Sequence, residues 1–204
     1  LDANAAYIDI EHDSSLAQNF SKHRKQKRQK TKFILSYHHL TTTPSLATLK
    51  EIASRLFQRG PDVVKIVTTA QSILDNFPVF SLLQSFLTSS QNKKNIVSFC
   101  RGELGEISRI LGKKYGSCFT YGSLTQKNTL EKNSQKKSKK TLFSLTPGLL
   151  SFRELEETYN LSMINSSTKV FGVIGSHAEY SCSKYIYNSL FRKKNMNCIF
   201  ANRK

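Results

Sequence analysis

Residues 62–68, DVVKIVT, decide the fold class of this chain, because they are apolar on both faces of a strand apart from one lysine. Strands of this composition lie inside parallel sheets whose two faces are both covered. Short β-branched segments of the same kind precede it at residues 6–10 (AYIDI) and 33–37 (FILSY). Two more follow at residues 96–99 and 117–121. We therefore predict five strands of a parallel sheet.

Helical segments lie between these strands. Residues 42–59 predict a helix with Pro44 near its start. Residues 70–87 predict a second helix with a break near Pro78, and residues 103–115 predict a third. The alternation of strands and helices predicts an α/β fold.

The second half of the chain contains a change in composition. Residues 127–144 are rich in Lys, Asn, Ser and Gln, which predicts a disordered insertion without a core. A short helix is predicted at residues 151–159, with Ser151 as its N-cap. After a shift near Asn165, a strand, a helix and a strand are predicted at residues 169–175, 183–194 and 198–200. The predicted units are residues 1–160, a linker at 161–168, and residues 169–204.

The net charge of +17 comes from three short segments. They are residues 22–32, 126–144 and 190–204, and the rest of the chain is neutral. Charge confined to loops and a tail is typical of solvated segments, and the alternative is a patch that binds nucleic acid or an anionic surface. The two internal segments lack interleaved aromatic residues for base stacking, apart from Phe143, which argues against nucleic acid.

Neither a membrane span nor a metal site is predicted. No stretch of 18 apolar residues occurs. The cysteines show no CxxC pair and no histidine at zinc spacing, so we predict small buried thiols in a reducing compartment. They are Cys100, Cys118, Cys182 and Cys198. The first residue is leucine rather than methionine, so we expect the natural N-terminus and any targeting segment to lie upstream.

Lys65 is the most informative residue for chemistry, because it interrupts the apolar strand at residues 62–68. A buried ammonium is costly, so it must be paired, or the neutral amine becomes available. A neutral amine in an apolar strand can form an imine with a ketone. The alternative is a lysine whose ammonium reaches solvent at the end of the strand.

Three other polar residues lie near the ends of successive strands. His38 ends the second strand, where α/β barrels place their sites, and histidine transfers protons near neutral pH. Asp9, near the end of the first strand, could hold the tautomer of a histidine. Arg109, after the fourth strand, could bind a carboxylate through two hydrogen bonds. The alternatives are a structural histidine and a surface helix arginine, and we interpret the neighbouring His39 as structural.

Taken together, these residues resemble type I 3-dehydroquinate dehydratase over residues 5–159. The matching motifs are YIDIE, SYHHLTTTPS, DVVKIVTTA, GELGEISRILGKKYGS and FTYG. The resemblance implies a (β/α)8 barrel that uses no metal or cofactor. It implies that Lys65 forms an imine with the ketone of 3-dehydroquinate and that His38 moves the protons. It also implies that Arg109 holds the substrate carboxylate and that Asp9 orients His38.

Several positions depart from the family pattern. Where the family usually has Met-Gly before its Ser-Arg pair, this chain has Arg101-Gly102. Where the closing loop usually reads Ser-Ala-Pro-Gly-Gln, residues 145–149 read LTPGL, so a serine and a glutamine that help bind substrate are replaced. The family's first three strands would lie before Leu1, so we expect a partial barrel of about strands 4–8.

A second resemblance, to the opening of shikimate dehydrogenase, covers residues 169–200. The segment KVFGVIGSHAEYSCSKYIYNSLF has the strand, the Ser-x-Ser pair and the helix of that family. The resemblance implies that Ser181 and Ser183 hold the carboxylate of shikimate or 3-dehydroshikimate. The family usually has Pro where this chain has Lys184. Its catalytic Lys–Asp pair and NADP-binding domain would lie beyond Lys204.

Two resemblances in this order are typical of the bifunctional shikimate-pathway enzymes of plants, algae and some bacteria. They imply dehydration of 3-dehydroquinate to 3-dehydroshikimate and NADPH-dependent reduction to shikimate, in a plastid or the cytoplasm. These small molecules are the predicted partners, and no membrane partner is predicted. The alternatives are another imine reaction such as an aldolase, a basic nucleic-acid-binding protein, and a degenerate relative without catalysis. By itself the 204-residue chain is predicted to be inactive.

Overall fold

The computed structural model describes residues 5–18, 31–87, 95–124, 148–175 and 177–203. The predicted insertion at residues 127–144 lies outside the described residues, as does most of the basic run at 22–32.

Four parallel strands form the main sheet. They are β1 Tyr7–Glu11, β2 Lys32–His38, β3 Val63–Thr69 and β4 Ile96–Arg101, and they lie side by side in chain order. β3 is buried over its first six residues, as its apolar sequence predicts. The predicted α/β fold with a parallel sheet is confirmed.

A helix follows each of these strands along the chain. These helices are α1 Ser15–Gln18, α2 Leu46–Gln58, α3 Asn76–Leu87 and α4 Glu106–Tyr115. α2 begins four residues later than predicted, because the Ser45 side chain accepts a hydrogen bond from the backbone N–H of Thr48 and caps the helix there. The helix turns one apolar stripe towards the sheet, namely Leu49, Ile52, Ala53 and Leu56.

Helix α3 continues past Pro78, where a break was predicted. Ile73–Asp75 forms a separate 3₁₀ turn before the helix, closed by a capping box between Ser72 and Asp75. Pro78 therefore falls in the first turn of α3, where a backbone N–H would have no partner inside the helix. The prediction of a break was wrong for this reason.

The fifth strand predicted at residues 117–121 is absent from the described structure. One backbone bond links this segment to β4, from the Cys118 N–H to the Ile96 carbonyl. The Ser117 hydroxyl donates to the Phe119 carbonyl, and such a local bond competes with a strand ladder. The rings of Phe119 and Tyr121 nevertheless pack on the sheet.

A second, smaller unit follows. Strand β5, Lys169–Ile174, pairs in parallel with β6, Cys198–Arg203, and helix α5, Ser183–Lys193, connects them. These bounds agree with the prediction at the start of each element, and β6 extends further than predicted. A π-helical turn at Glu154–Thr158 stands where a short helix was predicted, and the Ser151 hydroxyl accepts from the Glu154 N–H as an N-cap.

Two cores cover the helical sides of these units. The first lies between the sheet and helices α2 and α3, and includes Leu35, Val64, Ile66, Leu82 and Leu83. The second joins α4 to the smaller unit, and includes Ile110, Leu111, Leu155, Ile199 and Ala201. None of the helices in the described part of the chain has the length and apolar composition that crossing a bilayer requires.

Candidate active site

Strand register brings four polar side chains onto one face of the sheet. The first row across the sheet is Glu11, Ser36, Lys65 and Val97, and the second is His38, Val67 and Phe99. Paired residues of a parallel sheet share a face, and side chains along each strand alternate between faces. We call the face that carries Lys65 the lysine face; helices α2 and α3 cover the opposite one.

Lys65 is buried and paired. Its side chain is 11% exposed, and its Nζ lies 2.6 Å from Oδ2 of Asp9. The same Nζ lies 4.8 Å from the centre of the Tyr121 ring, on which a cation is stabilised. Burial, and after it the charge of Asp9, raises the pKa of Tyr121 to about 12. Of the sequence alternatives, the structure therefore favours a paired lysine over one that reaches solvent.

His38 is held by Glu11. Its Nδ1 lies 2.7 Å from Oε2 of Glu11, and the same oxygen accepts a hydrogen bond of 3.0 Å from the Ser36 hydroxyl. With Nδ1 engaged, Nε2 is the ring nitrogen left for a proton transfer. The sequence prediction that Asp9 orients His38 is wrong, because Asp9 bonds Lys65 instead.

The strand geometry explains this exchange of partners. Asp9 and Glu11 are two residues apart on β1, so both project from the lysine face. The His38 side chain meets Glu11, and the Lys65 side chain meets Asp9. In each case the carboxylate lies one row nearer the start of the strands. The sequence contains a signal for Glu11, since the motif YIDIE carries two carboxylates on one face of a strand.

Arg109 lies in the interior rather than on a helix surface. It is 3% exposed, and its guanidinium carbon is 4.0 Å from the centre of the Phe99 ring on the lysine face. Burial, and after it the charge of Arg101, lowers the pKa of Arg109 to about 10. Its Nε has no hydrogen-bond partner among the described residues. A buried cation that has an N–H group without a partner among the described residues can bind an anion.

The neighbouring Ser108 explains how α4 carries Arg109 to this position. Its hydroxyl donates to the Gly105 carbonyl and accepts from the Cys100 N–H, which joins the helix to the end of β4. A side chain at position 105 would place its Cβ 2.6 Å from the Cys100 carbonyl oxygen, so only glycine permits this approach.

Ser181 and Ser183 lie on the smaller unit, at the start of α5. The Ser181 hydroxyl donates to that of Ser183 over 2.8 Å, and both residues are half-buried. The structure therefore brings these two together, separately from the group around Lys65. Asn188 of α5 donates to the Phe200 carbonyl and accepts from the Phe200 N–H, which is a structural role.

The remaining candidates have structural surroundings. The His39 ring contacts the Thr42 backbone. Among the cysteines, Cys100 is buried, as predicted, and burial raises the pKa of its thiol, whereas Cys118 and Cys182 are exposed, contrary to the prediction. Within the described residues, Glu11, His12 and Asp13 have ligand atoms close enough to hold a metal, but the Glu11 carboxylate is already engaged by His38.

Comparison with known proteins identifies the family. The family model of type I 3-dehydroquinase matches residues 1–166. The chain belongs to the type I 3-dehydroquinase family. It is 32% identical over 201 residues to the chloroplastic bifunctional 3-dehydroquinate dehydratase/shikimate dehydrogenase of Arabidopsis thaliana, covering 98% of this chain and 30% of that protein. It is 39% identical over 118 residues to the 3-dehydroquinate dehydratase of Thermococcus gammatolerans, covering 58% of this chain and 51% of that one.

Solved structures of dehydroquinases have the same fold. A type I 3-dehydroquinate dehydratase from Clostridium difficile matches 74% of this chain and 52% of its own, with a TM-score of 0.56 and 22% identity. The dehydroquinate dehydratase and shikimate dehydrogenase of S. pombe AroM matches 98% of this chain and 33% of its own, with a TM-score of 0.51 and 22% identity. The predicted resemblance to this family and to its bifunctional members is confirmed, while the chain spans only part of these relatives.

Proposed function

We propose that this chain belongs to a bifunctional shikimate-pathway enzyme and carries the lysine and histidine of its dehydratase reaction. Residues 1–160 would be about strands 4–8 of a (β/α)8 barrel, and residues 169–204 the start of a shikimate dehydrogenase substrate domain, joined by a linker at 161–168. The observation that carries the proposal is the Lys65–Asp9 pair beside the His38–Glu11 pair on one face of a parallel sheet.

The dehydratase reaction would begin at Lys65. Asp9 lies at 2.6 Å and can take a proton from the ammonium, which leaves an amine able to attack the ketone of 3-dehydroquinate. Loss of water from the adduct gives a cationic imine. This cation withdraws electrons from the neighbouring C–H bond and makes its proton removable.

His38 would then act as base and acid. Nε2 takes the proton from the carbon next to the imine, and the electron pair forms an enamine. The imidazolium is stabilised by Glu11, 2.7 Å from Nδ1, and later returns a proton to the departing hydroxyl. Hydrolysis of the product imine releases 3-dehydroshikimate and restores the lysine.

Arg109 would bind the carboxylate of the substrate. Its guanidinium stacks on Phe99, in the same row of the sheet as His38. Neighbouring strands lie about 4.8 Å apart, so His38 and Phe99 are about 10 Å apart across the sheet. That span suits a substrate with a six-membered ring, its ketone towards Lys65 and its carboxylate towards Arg109.

The second reaction would be reduction of 3-dehydroshikimate with NADPH. The hydroxyls of Ser181 and Ser183, 2.8 Å apart, form a compact donor pair for the substrate carboxylate. NADP would bind to a part of the enzyme that this chain does not contain. The product of the dehydratase is the substrate of this step, which is a chemical reason for joining the two.

Trapping of the imine tests the dehydratase proposal. The matching segment of the Arabidopsis bifunctional relative would be replaced by this chain, and the chimaera treated with borohydride in the presence of 3-dehydroquinate. We expect reduction to attach the substrate to Lys65, as read by peptide mass spectrometry, and loss of labelling in Lys65→Met. His39→Ala is the control, because its ring bonds Thr42 and lies beside the Tyr37 ring. Labelling at another lysine, or an active chimaera without an adduct, contradicts the assignment. Formation of 3-dehydroshikimate from 3-dehydroquinate, shown by product analysis, excludes an aldolase.

A further inference from the structure

A partly buried ion pair joins the two units beside the serine pair. Lys184 directly follows Ser183, and its Nζ lies 3.2 Å from Oε1 of Glu154 in the π-helical turn. The two side chains are 18% and 31% exposed. Although burial lowers the pKa of Lys184, the charges of Tyr159 and Glu154 outweigh it and raise that pKa above its ordinary value. Near neutral pH, where a tyrosine is uncharged, the carboxylate of Glu154 in the dehydroquinase segment is the group that stabilises the ammonium.

Two aromatic rings enclose this ammonium. Its Nζ lies 5.7 Å from the centre of the Tyr159 ring and 5.0 Å from that of Tyr185. Tyr159 is almost completely buried in the core that joins the units. A cation beside aromatic rings gains more when it is partly shielded from water, and the Lys184 side chain is 18% exposed.

The same turn also holds the far end of helix α5. The Arg192 guanidinium donates to the backbone carbonyls of Glu156 and Glu157. Both ends of α5 are thus bonded to residues 154–157, and Ile199 of β6 packs into the shared core beneath them. The helix cannot shift along its axis without breaking one of these contacts.

A second ion pair on the same turn differs from Glu154–Lys184 in its exposure to water. Arg153 and Glu157 form an i, i+4 pair on the outside of the same turn, with both side chains 61% exposed. Pairs of that kind contribute little to stability, because water solvates both charges. The Glu154–Lys184 pair is less exposed to water and joins segments 30 residues apart, so its loss leaves a partly buried charge without its partner.

We propose that Glu154, acting through Lys184, is a positioning residue for the Ser181–Ser183 pair. The pair fixes the first turn of α5 against the dehydroquinase segment, and the serine hydroxyls take their positions from that turn. The carboxylate site of the dehydrogenase therefore depends on a residue of the dehydratase half. That consequence for binding rests on the function proposed above for the serines. The contact between Glu154 and Lys184 that fixes the first turn of α5, which we call the clamp, does not.

Hydrogen exchange on the 204-residue chain tests the clamp. The amides of Ser183 and Ile186 report on the first turn, because they bond the Ser181 hydroxyl and the Cys182 carbonyl. Glu154→Gln should speed exchange at both by about 10-fold relative to the amides of β3. Lys184→Arg, which keeps the charge and the stacking, should exchange like wild type, and so should the matched control Glu157→Gln. Equal exchange in Glu154→Gln and wild type overturns the clamp.

Titration of the chimaera described above with shikimate tests the consequence for the serines. Glu154→Gln should weaken binding about 5- to 10-fold, within the usual range of coupling between sites. Ile96→Val, a core substitution in β4, lowers stability without touching α5 and should leave the affinity unchanged. Binding lost in Ser183→Ala but unchanged in Glu154→Gln overturns the positioning role alone. A wild-type chimaera that binds no shikimate overturns the serine assignment, while hydrogen exchange still decides the clamp.

Discussion

Replacement of Asp9 by asparagine tests whether Lys65 needs a charged partner, because asparagine is polar and of the same size but carries no charge. In wild type the two groups are 2.6 Å apart, with the lysine side chain 11% exposed and the aspartate side chain 34% exposed. Breaking a fully buried ion pair costs about 3–5 kcal/mol. Because water reaches part of Asp9, we expect a smaller loss of about 2 kcal/mol, the scale of a hydrogen bond to a charged group. For a chain of this size that corresponds to a fall in Tm of about 4–8 °C.

The assay is a double-mutant cycle with Asp9→Asn, Lys65→Met and the double variant, followed by circular dichroism through a thermal melt. In the double variant neither member of the pair is left as an unpaired charge, so its loss should be smaller than the sum of the single losses by about 1–2 kcal/mol. Asp13→Asn is the control, because Asp13 is exposed on the loop after β1. Strictly additive losses, or a single loss no larger than that of the control, would refute the pairing.

Three further predictions concern catalysis, pH and the isolated chain. His38→Ala in the chimaera should still allow borohydride trapping at Lys65 but slow turnover by about 100-fold or more; near-normal turnover would make His38 structural. Since the pKa of Tyr121 is raised to about 12 from 10.0, the folded state keeps the phenol proton better than the unfolded state, so stability should fall between about pH 10 and 12. In Tyr121→Phe the free energy of unfolding, measured with urea, should fall less over this pH range. The same pH dependence in the variant and wild type would contradict the prediction. The isolated 204-residue chain should catalyse neither reaction, because the four-stranded sheet of the described residues leaves β1 and β4 without outer partners; dehydratase turnover with one cooperative melting transition would refute this.

Local patterns in the sequence predicted much of this molecule. The apolar run around Lys65 and the other β-branched segments predicted the four strands of the sheet to within two residues. Local patterns succeed here because burial on both faces and the alternation of strand and helix leave a periodic signal within a few residues. The motifs around His38, Lys65 and Arg109 likewise carried the resemblance to the family.

The partners of the charged side chains were decided only by tertiary structure. Sequence order made Asp9 the natural companion of His38, but strand register places Glu11 there and turns Asp9 to Lys65. The segment at residues 117–121 has the composition of a strand and is not one, because a side-chain bond within it and ring packing on the sheet replace the ladder.

Long-range contacts explain the remaining differences. Arg109 is buried against the Phe99 ring. Lys184 pairs with Glu154, 30 residues earlier in the chain. A sequence shows which residues favour a strand or a helix, because that preference depends on near neighbours. Which carboxylate a buried cation meets depends on how the strands and helices pack, since Coulomb energy acts between groups that only the folded chain brings within a few ångströms.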